Sequence, residues 1–185
     1  MPIESGLNFA FNDNCQFGIY DKWGFYHGAS DGETVTGGFK RVSDRISAVD
    51  FIVIEPENIA WFIEVKNYCR YEITERDKNK ISALPNTVTN KMICTLAALL
   101  PAKLNAGNVE EKKIASAALN AKSLRVVLHL ELPSSTTSQD RRLFERRPAQ
   151  IERKLSQKLK NVIGSEPLVL NSRNSNSIPW TVNPV

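Results

Sequence analysis

AVDFIVIEPENIAWFIEVK, residues 48–66, is the stretch that decides the fold. Two runs rich in Val, Ile and aromatic residues, 48–55 and 59–65, flank Pro56 and Asn58, which are residues that favour turns. Two such runs around a short connection predict an antiparallel β-hairpin. Because both runs are apolar almost throughout, we expect each strand to be buried on both faces of a sheet.

A helix is predicted to follow the hairpin over residues 86–104. Apolar residues recur there at helical spacing, Leu100 widens the apolar face, and Pro101 is expected to end or kink the helix. The recurring residues are Val88, Met92, Leu96 and Leu99. The stretch before the helix, 71–80, is charged and predicts a loop or a short helix.

The remaining patterns complete an alternation of strands and helices. They predict a candidate strand at 39–46, a short helix at 109–122, a strand at 124–132, a polar loop at 133–139, an amphipathic helix at 148–163 and a strand at 167–170. In the amphipathic helix, Ile151, Leu155, Leu159 and Val162 are expected on the buried face, and Gly164 fits the position just beyond its end. This order predicts an α/β fold, with one mixed central β-sheet flanked by helices in a single domain over 1–185.

Composition excludes several classes of protein. The chain is 42% hydrophobic, which suits an ordinary globular core, and its apolar runs are shorter than a membrane span requires. The start of the chain lacks the pattern of a signal peptide. The three cysteines, Cys15, Cys69 and Cys94, are spaced too widely for a disulfide framework or a metal knuckle. A cytoplasmic protein without a membrane partner is the expectation.

Three charged residues lie within the apolar hairpin: Asp50, Glu64 and Lys66. Alternation along a strand puts Glu64 and Lys66 on one face, and a turn centred near position 57 pairs Asp50 with Glu64. Two facing carboxylates would repel each other, and a hard cation, Mg²⁺ or Mn²⁺, would resolve that conflict. Lys66 could then orient or deprotonate a water nucleophile. A buried ion cluster of the three residues, without catalysis, explains the same pattern.

Asp50, thirteen intervening residues and then Glu64-Val65-Lys66 form a pattern that resembles the PD-(D/E)XK nuclease superfamily. The resemblance implies a restriction-endonuclease-like core, metal binding by Asp50, Glu64 and the main chain of Val65, and catalysis by Asp50, Glu64 and Lys66. Many members carry a further acidic residue upstream, for which Glu4, Asp21 and Glu33 are the candidates. In place of a Gln-based motif beyond the lysine, the sequence offers Asn86 and Lys91.

Basic residues are concentrated after the hairpin. Residues 1–66 carry 5 basic and 10 acidic side chains, whereas 140–185 carry 9 and 4. The arginines predicted to contact nucleic acid are Arg41, Arg45, Arg141, Arg142, Arg146 and Arg147. Arg153, Lys154, Lys158 and Lys160 extend this charge along the last helix. A solvated surface is the alternative explanation for all of them.

The function expected from these patterns is a Mg²⁺- or Mn²⁺-dependent nuclease, a phosphodiesterase acting on nucleic acid. DNA as the substrate, and a homodimer or a partner subunit, are implied by the resemblance alone. The alternative is a non-catalytic nucleic-acid-binding or assembly module on the same fold, either alone or as a subunit of a larger defence or repair complex. His129 is expected to be a core or sheet-face histidine in preference to a metal ligand.

Overall fold

The computed structural model of the chain describes residues 1–30, 35–69, 72–133, 138–174 and 178–185. The strands are β1 (Ile3–Glu4), β2 (Leu7–Phe11), β3 (Gln16–Ile19), β4 (Gly28–Ser30), β5 (Val35–Gly37), β6 (Phe51–Ile54), β7 (Ile59–Asn67), β8 (Ser123–Glu131), β9 (Leu168–Leu170) and β10 (Trp180–Pro184). The helices are α1 (Gly24–His27), α2 (Glu75–Asn105), α3 (Val109–Leu119) and α4 (Ser138–Ile163). None of the helices that the structure describes is long and apolar enough to cross a membrane.

The predicted hairpin is confirmed as β6 and β7, which pair in antiparallel register with Phe51 opposite Ile63. Asn58 closes the connection with a φ of 61°, the left-handed conformation that Asn tolerates better than most residues. All four residues of β6 are buried, as the continuous apolar run predicts. The first strand is shorter than the predicted run 48–55, because pairing begins only at Phe51.

The hairpin occupies the middle of a mixed five-stranded sheet in the order β3-β6-β7-β8-β9. Strands β3, β6 and β7 are antiparallel, whereas β8 pairs in parallel with both β7 and β9. The α/β fold with a mixed sheet and flanking helices is thus confirmed. The parallel pairs require crossover connections, which α2 with α3 and then α4 provide.

Two apolar layers cover the two faces of this sheet. Even-numbered residues of β7 and β8, such as Phe62 and Leu128, face the helices α2, α3 and α4. Odd-numbered residues, such as Trp61 and Ile63, face a second, three-stranded sheet in the order β1-β2-β10. The central strands are therefore buried on both faces, which explains why they carry so few polar residues.

Helix α2 begins at Glu75, eleven residues before the predicted start. Thr74 caps it through a capping box in which the Thr74 side chain accepts a hydrogen bond from the Asp77 backbone and Asp77 reciprocates. Pro101 was predicted to end or kink the helix. The prediction that it ends the helix is wrong, because the helix continues to Asn105. Burial of Leu99 and Ala102 on either side of the proline offsets the loss of a main-chain hydrogen bond there.

The predicted apolar faces of the two long helices need one correction each. Val88, Met92 and Leu99 are buried as expected, but Leu100 is exposed. In α4, Val162 is exposed and Ile163 is buried in its place. Helix α4 begins at Ser138, ten residues before the predicted start, and continues through Pro148. Gly164, with a φ of 70°, follows its end as predicted.

Residues 39–46 do not form the strand that the sequence suggested. A short 3₁₀ helix, Phe39–Val42, and a turn occupy this stretch, and β3 is the strand that pairs with the outer edge of β6. Conversely, β10 at the end of the chain was not predicted, although Trp180 and Val182 are buried in it. Its pairing with β2 is a contact between residues far apart in the sequence, which local patterns cannot reveal.

Candidate functional site: a carboxylate–lysine cluster and a basic helix face

Asp50 and Glu64 face each other at the start of β6, as predicted from a hairpin turn centred near position 57. Continuing the register from Phe51 opposite Ile63 places position 50 opposite position 64. The Asp50 backbone N–H donates to the Ile63 carbonyl at 3.0 Å. The Asp50 side chain is held in place by the Val65 backbone N–H, which donates to its Oδ2 at 2.6 Å. The aspartate is therefore fixed by main-chain contacts on both sides.

Two lysines converge on these carboxylates. Lys66, on the same face of β7, places its Nζ 2.7 Å from Glu64 Oε1. Lys91, from α2, places its Nζ 2.7 Å from the same oxygen and 3.5 Å from Asp50 Oδ1. We refer to Asp50, Glu64, Lys66 and Lys91 as the carboxylate–lysine cluster. Its two carboxylates and two ammonium groups balance in formal charge.

Burial dominates the electrostatics of the cluster. The Glu64 side chain has no exposed surface, and Lys91 is 17% exposed. Burial, followed by the negative charge of Asp50, raises the pKa of Glu64, and the two lysines oppose this shift. For Lys66, burial disfavours the ammonium ion, but the adjoining Glu64 carboxylate outweighs burial, so the pKa of Lys66 is raised. The cluster thus holds its charges in place by mutual attraction.

Asp50 and Glu64 remain the residues that would hold a divalent cation. Glu64 Oε2 is buried and has no hydrogen-bond partner among the described residues, which suits an oxygen ligand facing a hard cation. The described residues contain no group of three or more His, Cys, Asp or Glu side chains that could hold a metal ion. Binding of Mg²⁺ or Mn²⁺ by Asp50, Glu64 and the Val65 main chain therefore stays a prediction, as does catalysis by Lys66. The ion cluster considered as its alternative is present.

Two of the three upstream acidic candidates, Asp21 and Glu4, lie close enough to the cluster for their charges to interact with it. Asp21 sits in a short 3₁₀ helix, Tyr20–Lys22, which is tied to the site because the Tyr20 N–H donates to the Asp50 carbonyl at 2.9 Å. Burial, and then the charges of Asp50 and Glu4, raise the pKa of Asp21. Its Oδ1 is buried without a hydrogen-bond partner among the described residues. Glu33 lies outside the described residues.

Lys91 is the member of the cluster that sequence reasoning undervalued. The sequence offered it only as a substitute for a glutamine motif, because nothing local links a helix residue to a strand 25 residues earlier. The relevant signal is that Lys91 lies three residues after Val88 and four before Thr95, which are both buried, so it borders the buried side of α2, where an unpaired lysine is disfavoured. A lysine so placed needs an acidic partner from another element.

The predicted nucleic-acid contacts divide into two regions. Arg41 and Arg45 are exposed on the 3₁₀ helix and turn before the hairpin, where the Asn90 side chain donates to the Arg45 carbonyl at 3.2 Å. Arg141 and Arg142 belong to α4, but their side chains lie outside the described part of the structure. The role of these four arginines in binding nucleic acid stays a prediction.

The described part of α4 carries several cations on its solvent side. Its buried side carries Ile151, Leu155 and Leu159, and Glu152 Oε1 accepts a hydrogen bond from the Val169 backbone N–H at 3.3 Å. We define the α4 basic face as Arg146, Arg147, Arg153, Lys154 and Lys158. None of these five forms an ion pair with a described residue, and Arg147 alone is partly buried. Their charges are thus available to an external polyanion.

His129 lies on the opposite face of the sheet from Glu64. Its Nε2 is 3.0 Å from Glu131 Oε1, and the same oxygen accepts from the Ser172 backbone N–H at 2.6 Å. The ring packs edge-on against Phe9. The prediction of a core histidine is therefore confirmed. His129 takes no part in the carboxylate–lysine cluster.

Comparison with curated proteins gives a similarity to an aminoacyl-tRNA ligase. The chain is 30% identical over 147 residues to a cysteine–tRNA ligase of Neisseria meningitidis serogroup A. The matched region covers 71% of this chain, and the chain spans about a fifth (21%) of the ligase. No family model matches the sequence, and no solved structure matches it.

This similarity corrects the function expected from the sequence. The Asp50–Glu64–Lys66 pattern predicted a metal-dependent nuclease, but the relative is a tRNA ligase and not a nuclease. A short motif of three charged residues in a hairpin can arise from the need to pair buried charges, as the carboxylate–lysine cluster demonstrates. The motif alone was too little to define an activity.

Proposed function

We propose that this protein is an RNA-binding module that contacts tRNA, acting as part of an aminoacyl-tRNA ligase or beside one. The observation that carries the proposal is the similarity over 147 residues to a cysteine–tRNA ligase. The chain spans only 21% of that relative, so the proposal concerns binding and does not include the ligation reaction.

The α4 basic face supports binding to a polyanion. Its five cations extend over about 18 Å at 1.5 Å per residue, and none is neutralised by a described acidic residue. Lysine and arginine side chains that contact phosphates release counterions, which gives most of the affinity and makes it salt-dependent. The formal charge of +4 for the whole chain favours the same class of partner.

In this function the carboxylate–lysine cluster stabilises the fold and does not contact RNA. Glu64 has no exposed surface and Asp50 is 5% exposed, so neither carboxylate reaches a bound ligand without rearrangement. The four charges instead fasten α2 to the start of the hairpin.

The finer description of the fold belongs to the same proposal. The antiparallel set β3-β6-β7, followed by α2 and α3, the parallel strand β8, α4 and β9, supports a restriction-endonuclease-like core as part of this proposal. We propose that this architecture serves here as a scaffold for RNA binding.

Binding of labelled, deacylated tRNA to the full chain tests the proposal. Fluorescence anisotropy at several salt concentrations should give a slope of log K against log salt of roughly −3 to −5, if most of the basic face contacts phosphates. Arg153→Glu with Lys154→Glu should weaken binding roughly tenfold or more.

The matched control is Lys112→Glu with Lys113→Glu, which makes the same change in net charge on the exposed side of α3. The control should retain most of the affinity. Absence of tRNA binding at low salt, or equal weakening by both double variants, would overturn the proposed function.

A further inference from the structure

The exposed side of α4 carries three amide side chains between its cations. Gln150, Gln157 and Asn161 are exposed, and at about 100° per residue they lie within about 40° of one another around the helix axis. The arginines Arg146 and Arg153 flank this amide row on one side. Arg147, Lys154 and Lys158 flank it on the other side.

No described residue makes a hydrogen bond or an ion pair with any of the three amides, so their donors and acceptors face solvent. Between positions 146 and 161, α4 has no acidic residue that is fully exposed. Amides are both donors and acceptors, whereas the flanking cations are donors only. The helix thus presents a neutral hydrogen-bonding row edged on both sides by positive charge.

We propose that α4 lies in the shallow minor groove of an A-form RNA stem, with the amide row on the groove floor and the two rows of cations on the phosphates of the two strands. A helix with its side chains is 10–12 Å across. In A-form RNA the minor groove is wide and shallow and displays 2′-hydroxyls, whereas the major groove is too narrow and deep for side chains to read.

The chemistry of the amide row fits the groove floor. A 2′-hydroxyl is both donor and acceptor, as an amide is, so Gln150, Gln157 and Asn161 can pair with it in either sense. The spacing from Gln150 to Gln157 is about 10 Å along the helix, so successive amides reach different nucleotides. The inference rests on the proposed function for the choice of RNA, because the B-DNA major groove also admits a helix.

The experiment compares three fluorescein-labelled probes of one sequence with the full chain: an RNA duplex, a DNA duplex and an RNA single strand. We expect the RNA duplex to bind tightest. The triple variant Gln150→Ala, Gln157→Ala, Asn161→Ala should lose fivefold or more on the RNA duplex and bind the two duplexes alike, with an unchanged salt slope. Alanine is the strongest helix former, so α4 should persist, which circular dichroism would verify.

A second variant separates groove reading from charge. Arg146→Ala, Arg153→Ala, Lys154→Ala should weaken binding to all three probes and reduce the salt slope by about 2 to 3. The control with the same net charge is Lys112→Ala, Lys113→Ala, Lys122→Ala, on exposed positions away from α4. It should bind like the unaltered chain.

The outcomes distinguish the groove proposal from the proposed function. If the chain binds RNA but prefers the single strand or the DNA duplex, or if the amide variant leaves the RNA-duplex preference unchanged, the groove proposal is overturned and RNA binding stands. If the chain binds no RNA probe and no tRNA, both are overturned.

Discussion

Replacing Lys91 with methionine should destabilise the fold by about 3 kcal/mol at neutral pH. Lys91 is 17% exposed and contacts both carboxylates of the cluster, at 2.7 Å from Glu64 and 3.5 Å from Asp50. Removing one partner of a buried ion pair leaves an uncompensated charge, which costs about 3–5 kcal/mol. We take the lower end because Lys66 still contacts Glu64. For a domain of this size the midpoint of thermal unfolding should fall by about 6–12 °C.

The cost should depend on pH in a defined direction. The pKa of Glu64 is already raised from its ordinary value of 4.5, and Lys91 is one of the charges that oppose the shift. A carboxyl whose pKa is raised on folding stabilises the fold below its unfolded value, and that contribution is lost as pH rises through the folded pKa. Without Lys91 the pKa of Glu64 should rise further. The loss of unfolding free energy in the variant should therefore be largest at neutral pH and smallest near pH 4.5.

Urea denaturation of the variant and the unaltered chain over this pH range measures the effect. Lys113→Met is the matched control, because Lys113 is 57% exposed and its pair with Glu110 is 3.7 Å long. It should change stability by no more than about 0.5 kcal/mol. In a chain that already carries Glu64→Gln, the cost of Lys91→Met should shrink by more than half. A cost below about 1 kcal/mol at neutral pH, or one independent of pH, would refute the reasoning.

Three further outcomes are expected. Gly18→Ala should cost about 1–3 kcal/mol of unfolding free energy, because a Cβ there would lie 2.8 Å from the indole nitrogen of Trp23; unchanged stability in urea would contradict the packing of β3. Leu155→Ala should cost about 2–5 kcal/mol, whereas Val162→Ala, at an exposed position of α4, should cost less than about 0.5. If the cluster binds metal, Mn²⁺ should raise the midpoint of thermal unfolding, and Asp50→Asn should abolish the rise; no shift with the unaltered chain would leave the cluster as ion pairs alone.

The hairpin could be predicted because its determinants are local. Two β-rich runs and an Asn that adopts a positive φ define the strands, and a turn centred near position 57 fixes the pairing of Asp50 with Glu64. The same register placed Lys66 on the face of Glu64, since side chains alternate along a strand. The proximity of these three charged side chains followed from counting residues.

Features that depend on distant contacts could not be predicted in this way. Lys91 reaches the cluster from a helix, and β10 pairs with β2 across most of the chain. The strand expected at 39–46 is absent because β-propensity is satisfied only where a partner edge is available, and Gln16–Ile19 already occupies the edge beside β6. Function was the least predictable, because a buried charged motif has a structural explanation as well as a catalytic one.

The sheet formed by β1, β2 and β10 has a consequence for biosynthesis. Trp180 and Val182 are translated long after the central strands, yet they belong to the apolar layer that packs on Trp61 and Ile63, on one face of those strands. Until translation reaches them, only β1 and β2 can cover that apolar side, while the opposite side can already pack against its helices. Nascent chains halted before Trp180 should therefore be the forms that bind chaperones and aggregate.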